Sequence, residues 1–111
     1  NIIEKSRVKV VTIAQGLCCS AATFLLLGGH ERRIGKNAHV LIHQISTNGF
    51  WGKYEELKDE MKSCDKLMDM VTKTYKEKTT IPQKQLKKIM KRDMYLDPQE
   101  CIKYNVVDSV D

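Results

Sequence analysis

The hydrophobic pattern changes along the chain from short β-rich runs to longer amphipathic stretches. Residues 8–14 (VKVVTIA) are mostly β-branched and predict a buried strand. Residues 20–27 predict a short apolar helix, buried on all sides and closed by two glycines. A polar, turn-rich segment over residues 30–37 precedes a second strand over residues 38–43, whose even positions form one apolar face. This order of strand, helix and strand predicts an α/β fold with a mainly parallel sheet.

A long amphipathic helix is predicted over residues 53–78. Its apolar positions recur at steps of three and four, at Tyr54, Leu57, Met61, Cys64, Met68, Val71 and Tyr75. This seam is narrow for a helix that packs on a core. A helix of this length would extend roughly 37 Å, which is more than a small domain needs. Part of it therefore projects towards another subunit, or the whole helix lies along its own domain.

Capping signals divide the remainder of the chain into short elements. Residues 80–83 (TIPQ) predict a capping box and a helix that ends at about residue 91. After a short extended piece, residues 97–100 (DPQE) predict another helix, which stops near Asn105 in a left-handed conformation. Residues 106–110 predict an edge strand.

Composition places the chain among globular proteins. Its 111 residues, 41 % hydrophobic and 30 % charged, are enough for one domain over residues 1–111. The net charge of +5 permits an anionic partner, but the densest basic cluster has no interleaved aromatic residues, so nucleic-acid binding is not expected. The longest apolar run, residues 21–29, is too short to span a bilayer, and the start of the sequence does not read as a signal peptide; a membrane partner is not expected either.

Four cysteines are present, and none has the C-x-x-C spacing of a metal or redox motif. We therefore expect reduced thiols and a reducing intracellular location, in the cytoplasm or an organelle interior. A zinc site built from Cys18, Cys19, His30 and His39 is conceivable but lacks the usual ligand spacing. We expect neither a metal nor a cofactor.

Three residues at the ends of predicted elements carry candidate chemistry. Ser20 lies among small residues where the first strand gives way to a helix, a joint that can expose a hydroxyl beside backbone N–H groups. His43 ends the second strand, and Asp93 ends a predicted helix. Each alone has an ordinary structural explanation, such as a helix N-cap for Ser20. Together they provide a nucleophile, a base and an orienting carboxylate.

Four motifs that contain or flank these residues follow one another in a specific order. They are GLCCSAA at residues 16–22, IHQ at 42–44, RDMYL at 92–96 and YNVVDSV at 104–110. In this order the chain resembles the proteolytic subunits of the Clp protease, serine peptidases of the crotonase-like superfamily. The resemblance implies a crotonase-like α/β fold, with a mainly parallel sheet, flanking helices and a projecting handle helix. The handle corresponds to residues 53–78, which favours a subunit contact for that helix.

The resemblance also implies a role for each candidate residue in a serine endopeptidase. Ser20 would be the nucleophile, His43 the base and Asp93 its orienter, with an acyl-enzyme as intermediate. The backbone N–H of Ala21 would donate to the oxyanion. Two alternatives stay open, namely a non-catalytic subunit of a ring complex and an enzyme in which Cys19 is the nucleophile.

Substrate and partners are likewise expectations from the resemblance. Ile45 and Ser46 would pair with the backbone of an extended polypeptide by β-augmentation. Members of the family form homo-oligomers of stacked heptameric rings, which an AAA+ ATPase unfoldase supplies with unfolded polypeptides. The family also has an earlier βαβ segment with a Gly-rich loop that completes the oxyanion hole. We therefore expect residues 1–111 to be the C-terminal two thirds of a single peptidase domain.

Overall fold

The computed structural model describes residues 2–19, 21–44 and 51–111, which contain six strands and four helices. The strands are β1 (Val11–Ala14), β2 (Leu17–Cys19), β3 (Glu31–Ile34), β4 (His39–Leu41), β5 (Tyr95–Leu96) and β6 (Ser109–Val110). The helices are α1 (Ala21–Leu27), α2 (Tyr54–Lys78), α3 (Gln83–Arg92) and α4 (Pro98–Lys103). The mixture of strands and helices confirms the predicted α/β class.

The strands form two small sheets, each of three strands. The first has the order β1-β3-β6 and is entirely parallel; in the second, β2-β4-β5, only β5 is antiparallel. β1 and β2 follow each other closely, and Gly16 between them has a positive φ of 63°. A residue with a side chain is strained in that conformation, so glycine permits the bend that sends β2 into the second sheet. The sheets are mainly parallel, as predicted.

The polar segment after α1 was expected to be turns, but it contains β3, the middle strand of the first sheet. The backbone N–H of Arg32 donates to the Asp108 carboxylate (2.9 Å), and its carbonyl accepts from the Asp108 N–H (2.8 Å). Its guanidinium donates to the carbonyls of Lys78 (2.7 Å) and Asn105 (3.2 Å). Because these partners satisfy its polar groups, a charged segment can occupy the middle of a sheet.

Two apolar elements are less buried than expected. β1 begins at Val11 rather than at residue 8, and Ala14 is its buried residue. It lies at the edge of its sheet and pairs only with β3, which leaves Ile13 exposed. On α1, Leu25 is 56 % exposed, whereas Leu26 and Leu27 are buried. The helix thus packs through one side, because among the described residues the sheets and α2 cover that side.

The alternation predicted for the second strand is confirmed. Val40 and Ile42 are fully buried, His39 is exposed, and Leu41 and His43 are half-buried. The buried pair joins a core to which every layer contributes, including Leu27, Ile34, Leu86, Ile89, Leu96, Val106 and Val107.

The two halves of α2 have different environments. Near its C-terminal end Tyr75 is buried, with its ring 5.5 Å from that of Phe24, and Met68 and Val71 pack against the core. In the N-terminal half Tyr54 is 71 % exposed and Met61 is 52 % exposed. The described residues extend over 50 × 32 × 24 Å. The apolar seam therefore packs on its own domain in the C-terminal half of α2, and its side chains are exposed to solvent in the N-terminal half.

Capping predictions had mixed outcomes. Asp97 caps α4 through a capping box: its carboxylate accepts from the Glu100 N–H (2.8 Å), and the Glu100 carboxylate accepts from the Asp97 N–H (3.2 Å). Asn105 has the predicted left-handed conformation, with φ at 56°. The capping box at Thr80 was wrong, because Pro82 is the N-cap of α3 and makes no side-chain capping bond. The Thr80 hydroxyl instead accepts from the Asn105 amide (2.8 Å).

Candidate active site

The candidate site is at one end of the β2-β4-β5 sheet. β2 and β4 are parallel, with Cys19 opposite Leu41, so both strands end side by side. β5 is antiparallel to β4, and Tyr95 at its start is also opposite Leu41. The chain therefore leaves β2, leaves β4 and enters β5 at the same end of the sheet. Carboxyl ends of parallel strands commonly carry functional side chains in α/β folds.

Two of the predicted triad residues flank this end symmetrically. His43 comes two residues after Leu41, and Asp93 comes two residues before Tyr95. Leu41 and Tyr95 form the last pair of this register, and the left-handed turn at Asp93 begins just beyond it. The pairing of β4 with β5 thus places both chain segments at the same end of the sheet, although 50 positions separate His43 from Asp93 in sequence.

Three predicted site residues lie outside the described residues. They are Ser20, Ile45 and Ser46. Their neighbours are described: Cys19 is the last residue of β2, and Ala21 is the first residue of α1. The first N–H groups of a helix have no partner within it, so the Ala21 N–H is not required by α1.

His43 is half-buried, and a local hydrogen bond orients its ring. Its Nδ1 lies 2.7 Å from the backbone carbonyl oxygen of Gln44. A carbonyl can only accept, so Nδ1 carries the hydrogen, and Nε2 of the neutral ring can take up a proton. This is the tautomer that a histidine base needs in a serine peptidase. An orienting carboxylate binds the same Nδ1, so Asp93 would have to replace the Gln44 carbonyl there.

Asp93 is exposed and ends α3 in a left-handed conformation, with φ at 50°. Its backbone N–H donates to carbonyls in the last turn of the helix, Ile89 and Met90. Aspartate tolerates this conformation better than most residues do. The turn redirects the chain from α3 towards β5, which begins two residues after Asp93.

Sequence reasoning treated α1 as wholly apolar and missed Thr23. This residue is completely buried, and its hydroxyl donates to the carbonyl oxygen of Leu41 at 3.4 Å. The Thr23 side chain also lies beside the Cys18 thiol and lowers the pKa of that thiol. Thr23 in the first turn of α1 thus lies beside two of the three strands of this sheet, β2 and β4. A single polar residue in an otherwise apolar helix was the available signal.

All four cysteines carry free thiols. Cys18 and Cys101 are buried, and burial raises the pKa of both, to about 12 for Cys101. Both are therefore protonated at neutral pH and unreactive as nucleophiles. Cys19 is half-buried at the end of β2.

In the described ranges, we find no group of three or more His, Cys, Asp or Glu side chains placed to hold a metal ion. Nor does any helix there combine the length and apolarity that crossing a bilayer requires.

Comparison with known proteins relates the whole chain to one family. The Clp protease family model matches residues 1–111. Relatives named ATP-dependent Clp protease proteolytic subunit come from Deinococcus radiodurans and Adiantum capillus-veneris. They are 35 % and 38 % identical over 103 residues, which is 91 % of this chain and 50 % and 52 % of the relatives. Proteolytic subunit 2 of Treponema denticola is 32 % identical over 112 residues, covering 99 % of this chain and 56 % of the relative. The chain spans about half the length of these relatives.

Proposed function

Because the chain belongs to the Clp protease family, we propose that it carries the catalytic residues of a serine endopeptidase that cleaves unfolded polypeptides. Ser20 is the nucleophile, His43 the base and Asp93 the group that orients the base. The observation that carries the proposal is the pairing of strands in the second sheet. β4, which leads to His43, pairs with β5, which follows Asp93, at the sheet end where β2 stops, one residue before Ser20.

The reaction runs in two halves. His43 Nε2 takes the proton of the Ser20 hydroxyl as the oxygen attacks the peptide carbonyl, and the backbone N–H of Ala21 donates to the oxyanion. The resulting imidazolium gives its proton to the departing amine, which leaves an acyl-enzyme. Water then attacks the ester with the same histidine as base and releases the second product. Before the reaction, Nδ1 exchanges its Gln44 carbonyl partner for the Asp93 carboxylate. Asp93 then accepts from Nδ1 during both halves of the reaction and stabilises the charged ring.

Substrate and assembly form the second part of the proposal. The chain beyond His43, at Ile45 and Ser46, pairs with an extended polypeptide through backbone hydrogen bonds. The protein works as a homo-oligomer of stacked heptameric rings, with the exposed half of α2 as a subunit contact. The names of the relatives include ATP dependence, which supports an AAA+ ATPase unfoldase as partner. A reducing cytoplasmic or organellar compartment suits its four free thiols.

A non-catalytic subunit of the same kind of ring is the second candidate. The hydrogen bond from His43 Nδ1 to the Gln44 carbonyl favours it, since that contact occupies the position of an orienting carboxylate. In a non-catalytic subunit this bond would persist in the assembly. In an active subunit, substrate binding or assembly would replace it with Asp93.

A serine-directed fluorophosphonate distinguishes these candidates in the full-length protein. The probe should label the wild type and the Cys19→Ala variant, and it should not label Ser20→Ala. Cys19 is the matched control, because it adjoins Ser20 and has a nucleophilic side chain of similar size. Labelling that depends on Cys19 would overturn the assignment of the nucleophile. No labelling of the assembled wild type, together with no peptide hydrolysis, would favour the non-catalytic subunit.

A further inference from the structure

Thr23 connects the three elements that surround the candidate site. It lies in the first turn of α1, three positions after Ser20. Its hydroxyl donates to the carbonyl of Leu41, the last residue of β4, two positions before His43. Its side chain also lies beside the Cys18 thiol on β2 and lowers the pKa of that thiol. The contacts therefore join the segments before and after the proposed nucleophile to the strand that leads to the proposed base.

The hydrogen-bonding capacity of these groups makes the arrangement directional. A hydroxyl has one hydrogen, and the Leu41 carbonyl can only accept, so that hydrogen goes to Leu41. Burial raises the pKa of the neighbouring Cys18 thiol, which keeps it protonated at neutral pH, and the Thr23 side chain lowers that pKa in part. Thr23 and Cys18 are both buried, which shields the pair from competing water. If the Thr23 hydroxyl turned away from Leu41, a buried polar group would lose this hydrogen bond.

We propose that Thr23 is a positioning residue, which fixes the start of α1 against the end of β4 and so sets the geometry between Ser20 and His43. This inference rests on the proposed function. Threonine suits the position because its methyl group fills the core while its hydroxyl reaches the strand carbonyl. Serine would keep the hydrogen bond, whereas valine would keep the shape and lose the bond.

The expected effect is modest, because 3.4 Å is long for a hydroxyl bond. Net contributions of single neutral hydrogen bonds correspond to a change of about two- to twelvefold in a rate constant. If the bond sets the approach of nucleophile and base, its loss lowers kcat and leaves KM unchanged, because substrate binding does not involve Thr23. A purely structural role would lower stability without this separation of kcat from KM.

The test measures kcat and KM on a fluorogenic peptide with the full-length protein in its natural assembly. Thr23→Val should lower kcat about two- to twelvefold at constant KM, and Thr23→Ser should restore it to near the wild-type value. Thr79→Val is the matched control. Thr79 is the other buried threonine of the described residues, and its hydroxyl donates to the Tyr75 carbonyl at the end of α2. This variant should lower the unfolding midpoint and leave kcat unchanged.

Three results would overturn the inference. They are an unchanged kcat in Thr23→Val, an equal loss in Thr23→Val and Thr23→Ser, and an equal loss in Thr79→Val. If Thr23→Val does not assemble, Thr23→Ala is compared with Thr23→Ser instead. Both variants lack the methyl group, and only Thr23→Ser keeps the hydroxyl. Equal kcat values in these two variants would refute the inference. Hydrolysis that survives Ser20→Ala refutes the proposed function itself, and the inference with it. Loss of hydrolysis in Ser20→Ala with normal kcat in Thr23→Val refutes the inference alone.

Discussion

Replacing Met61 by glutamate tests whether the projecting half of α2 is a subunit contact. Met61 lies in the apolar seam and is 52 % exposed, so its own domain covers only about half of it. Met68 and Val71, further along the seam, pack against the core. A charge at either of those positions would destabilise the domain itself and would not report on assembly. Met61 is therefore the position at which the two effects separate.

The exposed fraction of the Met61 side chain determines how much free energy it can contribute to subunit association. Full burial of a methionine side chain contributes about 1.5–3 kcal/mol, so the exposed half of Met61 can contribute about half of that on association. In a two-fold symmetric contact the residue occurs twice, which gives about 1.5–3 kcal/mol per pair of subunits. Loss of that contribution weakens the dissociation constant by about 10- to 100-fold, and burial of the new carboxylates would add to the effect.

Sedimentation velocity over a range of concentrations measures this shift in the full-length protein. Met61→Glu should move the assembly to smaller species, while circular dichroism and the unfolding midpoint stay close to those of the wild type. Ser63→Glu is the control, because it adds the same charge to an exposed position about 200° around the helix from Met61. Identical sedimentation of Met61→Glu and wild type would refute the contact. An equal shift in Ser63→Glu would show that added charge alone, rather than the seam, controls assembly.

Two further predictions concern the site and its supporting core. Asp93→Asn should lower kcat by about 10²–10⁴-fold with unchanged stability, because asparagine also tolerates the left-handed backbone there; a normal kcat would count against the triad. Burial holds the pKa of Cys101 at about 12, against an ordinary value of 9.0, so the unfolded state loses this proton first as the pH rises. The wild type should therefore lose about 1.4 kcal/mol between pH 8 and 10 through this group. Cys101→Ser, which can still donate to the Leu96 carbonyl, should show a smaller loss in urea unfolding, and an identical pH dependence would refute the assignment.

Local sequence signals predicted the features whose physical causes are local. The capping box at Asp97, the left-handed stop at Asn105 and the extent of α2 depend on residues within one or two turns of helix. The alternation of β4 predicted correctly which of its side chains are buried, because successive residues of a strand face opposite sides. Positions at the ends of predicted elements made Ser20, His43 and Asp93 candidates, and the family motifs then implied a role for each; these roles remain predictions.

The tertiary structure alone decided which segments meet. The charged β3 became the middle of a sheet because Arg32 finds carbonyl partners at Lys78 and Asn105, 46 and 73 positions away. Likewise, the placement of His43 and Asp93 at one end of the sheet depends on the antiparallel pairing of β5, and the role inferred for Thr23 depends on its contact with Leu41. Propensity and periodicity describe a residue together with its sequence neighbours. Strand order, register and the partners of buried polar groups depend on the free energy of the whole packed chain, in which residues distant in sequence satisfy each other.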